Sequence, residues 1–388
     1  MAEQAAGVWG AWLAERARVR HRRGLERAAR GLPEGALDLA SNDYLGLSRH
    51  PAVVSAAAEA ARLHGAGAGA SRVVTGTHPV HEQLEARLCA YTGRRSALVL
   101  SSGYAANLGL LGALAAPGTH LVMDAHCHAS LVDGARLGRA EVTVVDHGSV
   151  QAVAAALQSR VAPRTAVVVE SVYSVLGDAA PLAELATLCA GRGALLVVDE
   201  AHTLAATPGG CAVAAAGLAD AGHVVVTATL SKALGSQGGA VLLGGAGADA
   251  LREHLVNTSR TFLFDTGLGP PAAGAALAAL GLADEDRIAR LVARSAQVHD
   301  TLAAHPFTSA RVERGRGAVH SVRMDSPERA AEAAGRLGEA GVAVGCFRPP
   351  SVPDGVSRLR VTAHADHDAD VLDHALHQIA TTVAEVHA

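Results

Sequence analysis

The chain has 388 residues, 33 Lys and Arg against 37 Asp and Glu for a formal net charge of −4, with 49% hydrophobic and 18% charged residues. This composition marks a folded globular chain of two or three domains and excludes wholesale disorder. The balanced charge and the lack of a long basic run exclude the phosphate neutralisation that drives nucleic-acid affinity, so no nucleic-acid partner is expected.

Met1 to Arg30 carries repeated Arg and two Trp, with no apolar core of the signal-peptide type, and residues 1–45 read as an N-terminal helical segment. The Gly65–Ala70 tract of alternating Gly and Ala looks like part of a dinucleotide fingerprint. It follows no apolar strand and leads to no acid at the required distance, so it is discounted. From Ala97 onward, apolar runs at Ala97–Leu100, His120–Met123, Glu141–Val145, Ala166–Val169, Ala194–Val198, His223–Ala228 and Ala240–Leu243 alternate with Ala/Leu-rich stretches of helical period. That alternation predicts an α/β fold with a mostly parallel central sheet, covered by helices on both faces and joined by crossover helices. Past Pro270-Pro271 a long Ala-rich helical stretch to about Ala303 precedes Ala318–Met324, a helix near Pro327–Ala340, Val342–Gly345 and Arg358–Thr362, which reads as a smaller α+β domain. The expected division is 1–45, a large α/β domain over 46–280 and a small C-terminal domain over 281–388. The five cysteines are odd in number and scattered, and read as reduced thiols of a cytoplasmic protein. No run of about 20 apolar residues is present, so no membrane span is expected.

In an open parallel sheet ligands bind beyond the carboxyl ends of the strands, and polar residues directly after the strand runs are the first candidates. After Ala97–Leu100 comes Ser101-Ser102-Gly103-Tyr104-Ala105-Ala106-Asn107, a small turn opening a helix, where free N–H groups suit a phosphate. After Ala194–Val198 comes Asp199-Glu200-Ala201-His202, and after His223–Ala228 comes Thr229-Leu230-Ser231-Lys232. An acid and a lysine thus end two strands. A partly desolvated lysine is a nucleophilic amine, and an aldehyde cofactor held on it as a Schiff base needs an acid beside its pyridinium nitrogen. The Asp124-Ala125-His126-Cys127-His128 stretch invites a zinc reading, but no second cluster completes a four-ligand set and no metal is expected.

These junctions resemble the α-oxoamine synthases, fold-type-I enzymes that use pyridoxal 5′-phosphate (PLP), over about Leu39 to His364. The resemblance rests on S-N-D-Y-L-G-L at Ser41–Leu47, S-R-V-V-T-G ending at Gly76, S-S-G-Y-A-A-N at Ser101–Asn107, H-A-S-L at His128–Leu131, D-E-A-H at Asp199–His202, T-L-S-K-A-L-G at Thr229–Gly235 and R-L-R-V-T at Arg358–Thr362. It implies that Lys232 holds PLP as a Schiff base, Asp199 pairs with its pyridine nitrogen, His202 bonds its phenolic oxygen and His128 stacks on its ring. Gly103, Tyr104, Ser174 and Thr229 would contact the cofactor, with Thr266 of a second subunit near the phosphate, so that a homodimer shares its sites. Arg360 would hold the amino-acid carboxylate, and Arg27, Asn42 and Ser351, with His128, would hold substrate.

G-S-Q-G-G at Gly235–Gly239 and R-P-P-S-V-P at Arg348–Pro353 are similar to the family branch that condenses L-alanine with a pimeloyl thioester, carried by coenzyme A or an acyl carrier protein, in biotin biosynthesis. The alternatives are a sibling using glycine or serine with another acyl-CoA, of the 2-amino-3-ketobutyrate CoA ligase type, and a non-catalytic binding subunit. Two departures from the family pattern stand out. Thr203–Cys211 lacks the usual glycine-rich turn and is expected near the cofactor rim, while Leu176-Gly177 replaces an Asp-Gly pair and reads as a loop variation.

Overall fold

The structure of the protein is a computed structural model that describes every residue except Met1, Ala28, Arg30, Arg160, Val161 and Arg314, with backbone alone for residues 2–6. Among the described residues the strands are, in chain order, β1 Leu37–Leu39, β2 Ser96–Leu100, β3 Thr119–Asp124, β4 Glu141–Val145, β5 Arg164–Glu170, β6 Leu195–Asp199, β7 Val224–Thr229, β8 Gly239–Leu243, β9 Val312–Glu313, β10 Val319–Arg323, β11 Val342–Phe347 and β12 Arg358–Thr362.

The large sheet has seven strands in the order β2-β8-β7-β6-β5-β3-β4. Five of them, β7-β6-β5-β3-β4, pair in parallel, as the alternating pattern requires. The strand β8 departs: it runs antiparallel to both β7 and β2. Only nine residues separate Thr229 from Gly239, too few for the crossover of a dozen or more residues that a parallel return demands. Burial on both faces also has an exception, because β4 is an edge strand with Val142 and Val144 exposed at 45% and 65%. The Val-, Leu- and Ala-rich central strands are fully buried between two apolar clusters, one per face of the sheet. A core built from side chains this small lets the sheet and its helices approach closely, and the strand ends gather into one rigid edge.

The second sheet has five strands in the order β1-β11-β12-β10-β9, with β1 pairing in parallel with β11 and Leu37 opposite Val342. The N-terminal segment therefore supplies more than the helix Ala2–Arg22; it adds an edge strand to the C-terminal sheet. The Ala-rich stretch after Pro270 is two helices, Pro270–Leu282 and Glu285–Ala304. The break follows from Asp284, whose carboxylate accepts the Arg287 N–H at 2.8 Å and so starts a new helix. No helix among the described residues is long and apolar enough to cross a membrane.

Candidate active site

The parallel strands β5, β6 and β7 end side by side, with Glu170 in register with Asp199 and Asp199 with Thr227. Lys232 lies three residues past the end of β7, and its Nζ is 2.7 Å from His202 Nε2. The other ring nitrogen, Nδ1, is 2.7 Å from the Tyr44 hydroxyl, which donates to Asn42 Oδ1 at 3.0 Å. A phenol has one proton to give, and here it goes to Asn42. His202 therefore donates from Nδ1, which leaves Nε2 to accept a proton of Lys232. Electrostatics agree. Burial, then the cations Lys232 and Arg360, hold His202 well below the usual imidazole range. Burial pushes Lys232 down to about 8, against the opposing pull of Asp199 and Glu170. The result is an amine that is partly neutral near neutral pH, as a nucleophile or general base must be.

Asp199 is buried and held at both oxygens: Oδ2 accepts from Asn107 Nδ2 at 2.7 Å, and Oδ1 from the Ala201 N–H at 2.8 Å. Asn107 also donates to Ser130 Oγ at 2.8 Å, while its buried Oδ1 has no partner. Glu170, beside Asp199, is pushed up to about 8 by burial and then by the Asp199 charge. The adjoining helix Gly103–Leu114 is capped by Ser102, whose Oγ and carbonyl accept the Ala105 and Ala106 N–H groups, both at 3.0 Å. Gly103 and Tyr104 are left at the helix head with their N–H groups beyond these bonds, a geometry suited to an anion. Thr229 packs against that head so closely that a Cβ on Gly103 would lie 2.8 Å from Thr229 Cβ.

Two arginines on the same face of β12 differ in a telling way. Arg358 is ion-paired to Glu313 at 2.8 Å and Asp354 at 2.6 Å, a structural cation. Arg360, equally buried, donates only to neutral acceptors: the Ser174 carbonyl at 3.1 Å, Asn42 Oδ1 at 3.0 Å and the Ala40 carbonyl at 3.4 Å. Its Nε has no partner, and its guanidinium lies 4.5 Å above the Phe347 ring. A buried cation without an anion is costly, so Arg360 is poised to take a carboxylate from outside the chain.

Arg360, Lys232, His202, Asn42, Ser174 and Ser351 all line one chamber of about 600 Å³. His128 stands at the join between this chamber and a smaller cavity that holds Gly103, Asn107, Asp199 and Thr229. Its Nδ1 is 2.7 Å from Ser130 Oγ. Arg27 reaches the chamber rim through a 2.9 Å hydrogen bond to Ser351 Oγ. Tyr104 is exposed, with its hydroxyl on Asp133. Thr266 lies on the surface and lines neither cavity of its own chain. The two departures from the family pattern exchange importance. The loop over residues 203–211 packs toward the helix Glu285–Ala304 and lines neither cavity, whereas Leu176 is part of the chamber wall. Of the zinc-like stretch, Asp124 accepts from His147 at 2.8 Å, and the buried Cys127 thiol is within 3.3 Å of the Val168 carbonyl.

The fold and this lysine–acid floor define a class. The family model for aminotransferase class I and II matches residues 34–379, and the chain belongs to that family as a PLP-dependent acyltransferase. The 8-amino-7-oxononanoate synthase of Mycolicibacterium smegmatis is 52% identical over 360 residues, which cover 92% of each chain. Among solved structures, serine palmitoyltransferase from S. paucimobilis with bound PLP superposes at a TM-score of 0.85 with 31% identity, covering 91% of this chain and 88% of that one. The 8-amino-7-oxononanoate synthase of Francisella tularensis shares the fold at a TM-score of 0.76 and 24% identity, over 92% of this chain and 100% of that one.

The residues present fit PLP. Lys232 could supply an amine for covalent attachment, Asp199 a charge for a ring nitrogen, the head of the helix Gly103–Leu114 a cradle for phosphate, and the unpartnered Asn107 Oδ1 a further polar contact. Asn107, Tyr44 and Glu170 had no assigned role in the sequence. Asn107 is four residues from Gly103 on one helix, hence on the same face, which is the signal that reveals it.

Proposed function

We propose that this protein condenses L-alanine with a pimeloyl thioester, releasing carbon dioxide and the free thiol and forming 8-amino-7-oxononanoate for biotin biosynthesis. The observation that carries the reading is the buried, anion-free Arg360 facing the same chamber as Lys232. The 52% identity to the M. smegmatis enzyme supports the choice of substrates. PLP, when bound, supplies an electron-withdrawing ring that stabilises negative charge at the amino-acid Cα. The chain's own residues do the rest. Arg360 binds the α-carboxylate of alanine in a two-point hold, and Phe347 beneath it fixes the guanidinium plane. The Lys232 amine takes the proton from Cα and later returns one; His202 holds that amine in place, and Tyr44 with Asn42 fixes the tautomer of His202. Asp199, held by Asn107, keeps its charge directed at the cofactor site. His128 closes the join between the two cavities, and Leu176, Phe347 and Pro350 offer apolar surface for an acyl chain.

Arg27 and Ser351 would meet the thioester at the rim, where either coenzyme A or an acyl carrier protein can approach. The exposed Thr266 fits a homodimer in which it reaches the partner's phosphate site. The proposed division remains one at residues 45 and 280, with β1 contributing to the C-terminal sheet, and a cytoplasmic setting suits the five free cysteines. The deciding experiment offers the PLP-loaded enzyme L-alanine, glycine and L-serine, each with pimeloyl and acetyl thioesters, and reads product mass. A product from alanine and the pimeloyl donor is expected; turnover of glycine with the acetyl donor alone would reassign the chain to the sibling branch.

A further inference from the structure

Beyond the cleft, β12 runs out into Ala363-His364-Ala365-Asp366-His367, where two imidazoles and a carboxylate each present a ligand atom, all within 4.8 Å of one another. His364 is buried, His367 half-buried and Asp366 exposed, so the group is open to solvent on one side. Three further observations bear on it. Gly46, at φ +64°, leaves a seat for Asp366: a Cβ there would lie 2.2 Å from Asp366 Oδ2. The buried Nδ1 of His367 has no hydrogen-bond partner, which a polar atom inside a protein ordinarily has. The carboxylates of Asp38 and Asp43 also face His364, while Arg294 is the cation facing His367, so negative charge dominates the surroundings. Burial holds both imidazoles below their ordinary range, His367 at about 4, leaving neutral rings at pH 7. Of the His364 ring nitrogens, Nε2 is already 3.3 Å from the Thr362 hydroxyl.

We propose that His364, Asp366 and His367 bind a divalent ion of the zinc type, Zn²⁺, Co²⁺ or Ni²⁺, with water completing the coordination. Two imidazoles and one carboxylate are the donors such ions take, and none of the three belongs to the PLP site. The rings stand nearly parallel, 4.6 Å apart at 11°, so His367 must turn for both lone pairs to meet one ion. Occupancy has a structural consequence. The Ala365 N–H already donates to the Tyr44 carbonyl at 2.8 Å, and an ion held on either side of Ala365 clamps the exit of β12 against the Ser41–Tyr44 segment. The ion thereby stiffens the wall that carries Arg360, Asn42 and Tyr44 without touching it.

The test titrates the PLP-loaded enzyme with Co²⁺, reading its d–d absorption, and then displaces it with Zn²⁺ while following Tm. One saturating Co²⁺ per chain and a rise of Tm with Zn²⁺ are expected. Asp366→Asn and His367→Gln should each weaken Co²⁺ binding by roughly tenfold or more, the scale of losing one ligand or its support. Asp366 is exposed, so its variant will fold and carries the test alone if His367→Gln does not. No saturable Co²⁺ signal, or Co²⁺ binding by Asp366→Asn within tenfold of the wild type, overturns the proposal.

Discussion

The floor and the rim of the cleft are built on different principles. At the floor, Lys232, His202, Tyr44 and Asn42 form one chain of contacts, and Asn107 holds Asp199 from the opposite side, with most members buried. At the rim, Arg27 meets Ser351, Tyr104 meets Asp133, and Thr266 stands free on the surface, with all these side chains in contact with water. Removing one partner from a buried polar pair strands the other without solvent and costs about 1–3 kcal/mol, whereas an exposed pair is worth about 0–1 kcal/mol. The difference teaches where precision is stored: reaction geometry is held by the ends of packed strands, and substrate choice by loops that tolerate change.

The sharpest way to break the floor is Lys232→Ala. Activity should fall by roughly 10³-fold or more, because both the covalent anchor and the proton carrier are lost. The visible band of the PLP-loaded protein should vanish with it, which an absorption spectrum checks. The fold, by contrast, should not suffer, because the stranded His202 nitrogen is offset by relief from burying an ammonium. Burial depresses the Lys232 pKa from 10.5 to about 8, so at pH 7 the cofactor-free wild type bears the cost of a buried ammonium. The cofactor-free variant should melt no lower than the cofactor-free wild type at pH 7, and any advantage should shrink as pH rises from about 8 to 10.5.

Arg360→Lys tests the wall between floor and rim. The charge stays, but the planar fork and its stacking on Phe347 are lost. We expect a loss of about 2 kcal/mol in alanine binding, roughly thirtyfold in KM, with the visible PLP band retained. Arg358→Lys, on the same face of the strand, should leave the alanine KM near the wild-type value, since Arg358 already has its anions. Equal effects on KM at the two positions would erase the distinction between a substrate cation and a structural one.

How much of this was legible in the sequence follows from the same contrast. Lys232, Asp199 and His202 could be read because strand ends are marked by the switch from Val-rich runs to polar residues, and the fold turns that switch into a shared edge. Glu170 carries the same mark, but it directly follows the apolar run ending at Val169 as a lone acid, with no histidine or lysine beside it to single it out. The direction of β8 is not written in its composition; it is written in the nine-residue interval after Thr229, which excludes a crossover helix. β1 escaped because three residues give no periodicity. Tyr44 and Asn107 sat within the matched motifs, but only the folded geometry reveals what each one holds. The relative weight of Leu176 and the loop over residues 203–211 was inverted because distance along the chain from His202 is a poor guide to distance from the cleft.

A third test acts behind the chamber wall. His147 bridges Asp124 and Asp178, each at 2.8 Å, and stacks on His126, which lines the chamber, with centroids 3.8 Å apart. Burial alone would lower its pKa, but the two carboxylates outweigh it and push the group up to about 9. A histidine whose pKa is raised on folding contributes stability that is complete below its unfolded value near 6.5 and disappears as pH rises through about 9. The Tm gap between the wild type and His147→Gln should be widest near pH 6, at roughly 1–2 °C for each kcal/mol lost, and should close by pH 10. A gap that is constant over this range would mean that His147 acts by packing, not by charge.

The smallest effect is expected at the rim, and it tests whether the rim takes part in substrate recognition at all. Arg27 and Ser351 lie 324 residues apart and meet through one exposed hydrogen bond of 2.9 Å. Arg348 donates to the carbonyls of Gly24 and Glu26, so the N-terminal segment is tied to this corner independently of that bond. Ser351→Ala removes only the hydroxyl and should raise the acyl-donor KM about two- to fivefold, the worth of an exposed hydrogen bond, while leaving kcat and the alanine KM unchanged. Arg27→Ala should do the same or slightly more, because a guanidinium at the mouth also attracts an anionic thioester and that attraction weakens with salt. If the pair acts on the donor as a unit, the double variant will be less than the product of the singles, and the deficit measures their coupling. An alanine KM that moves with the acyl KM would show instead that the rim is mechanically continuous with the floor, and the division between them would fail.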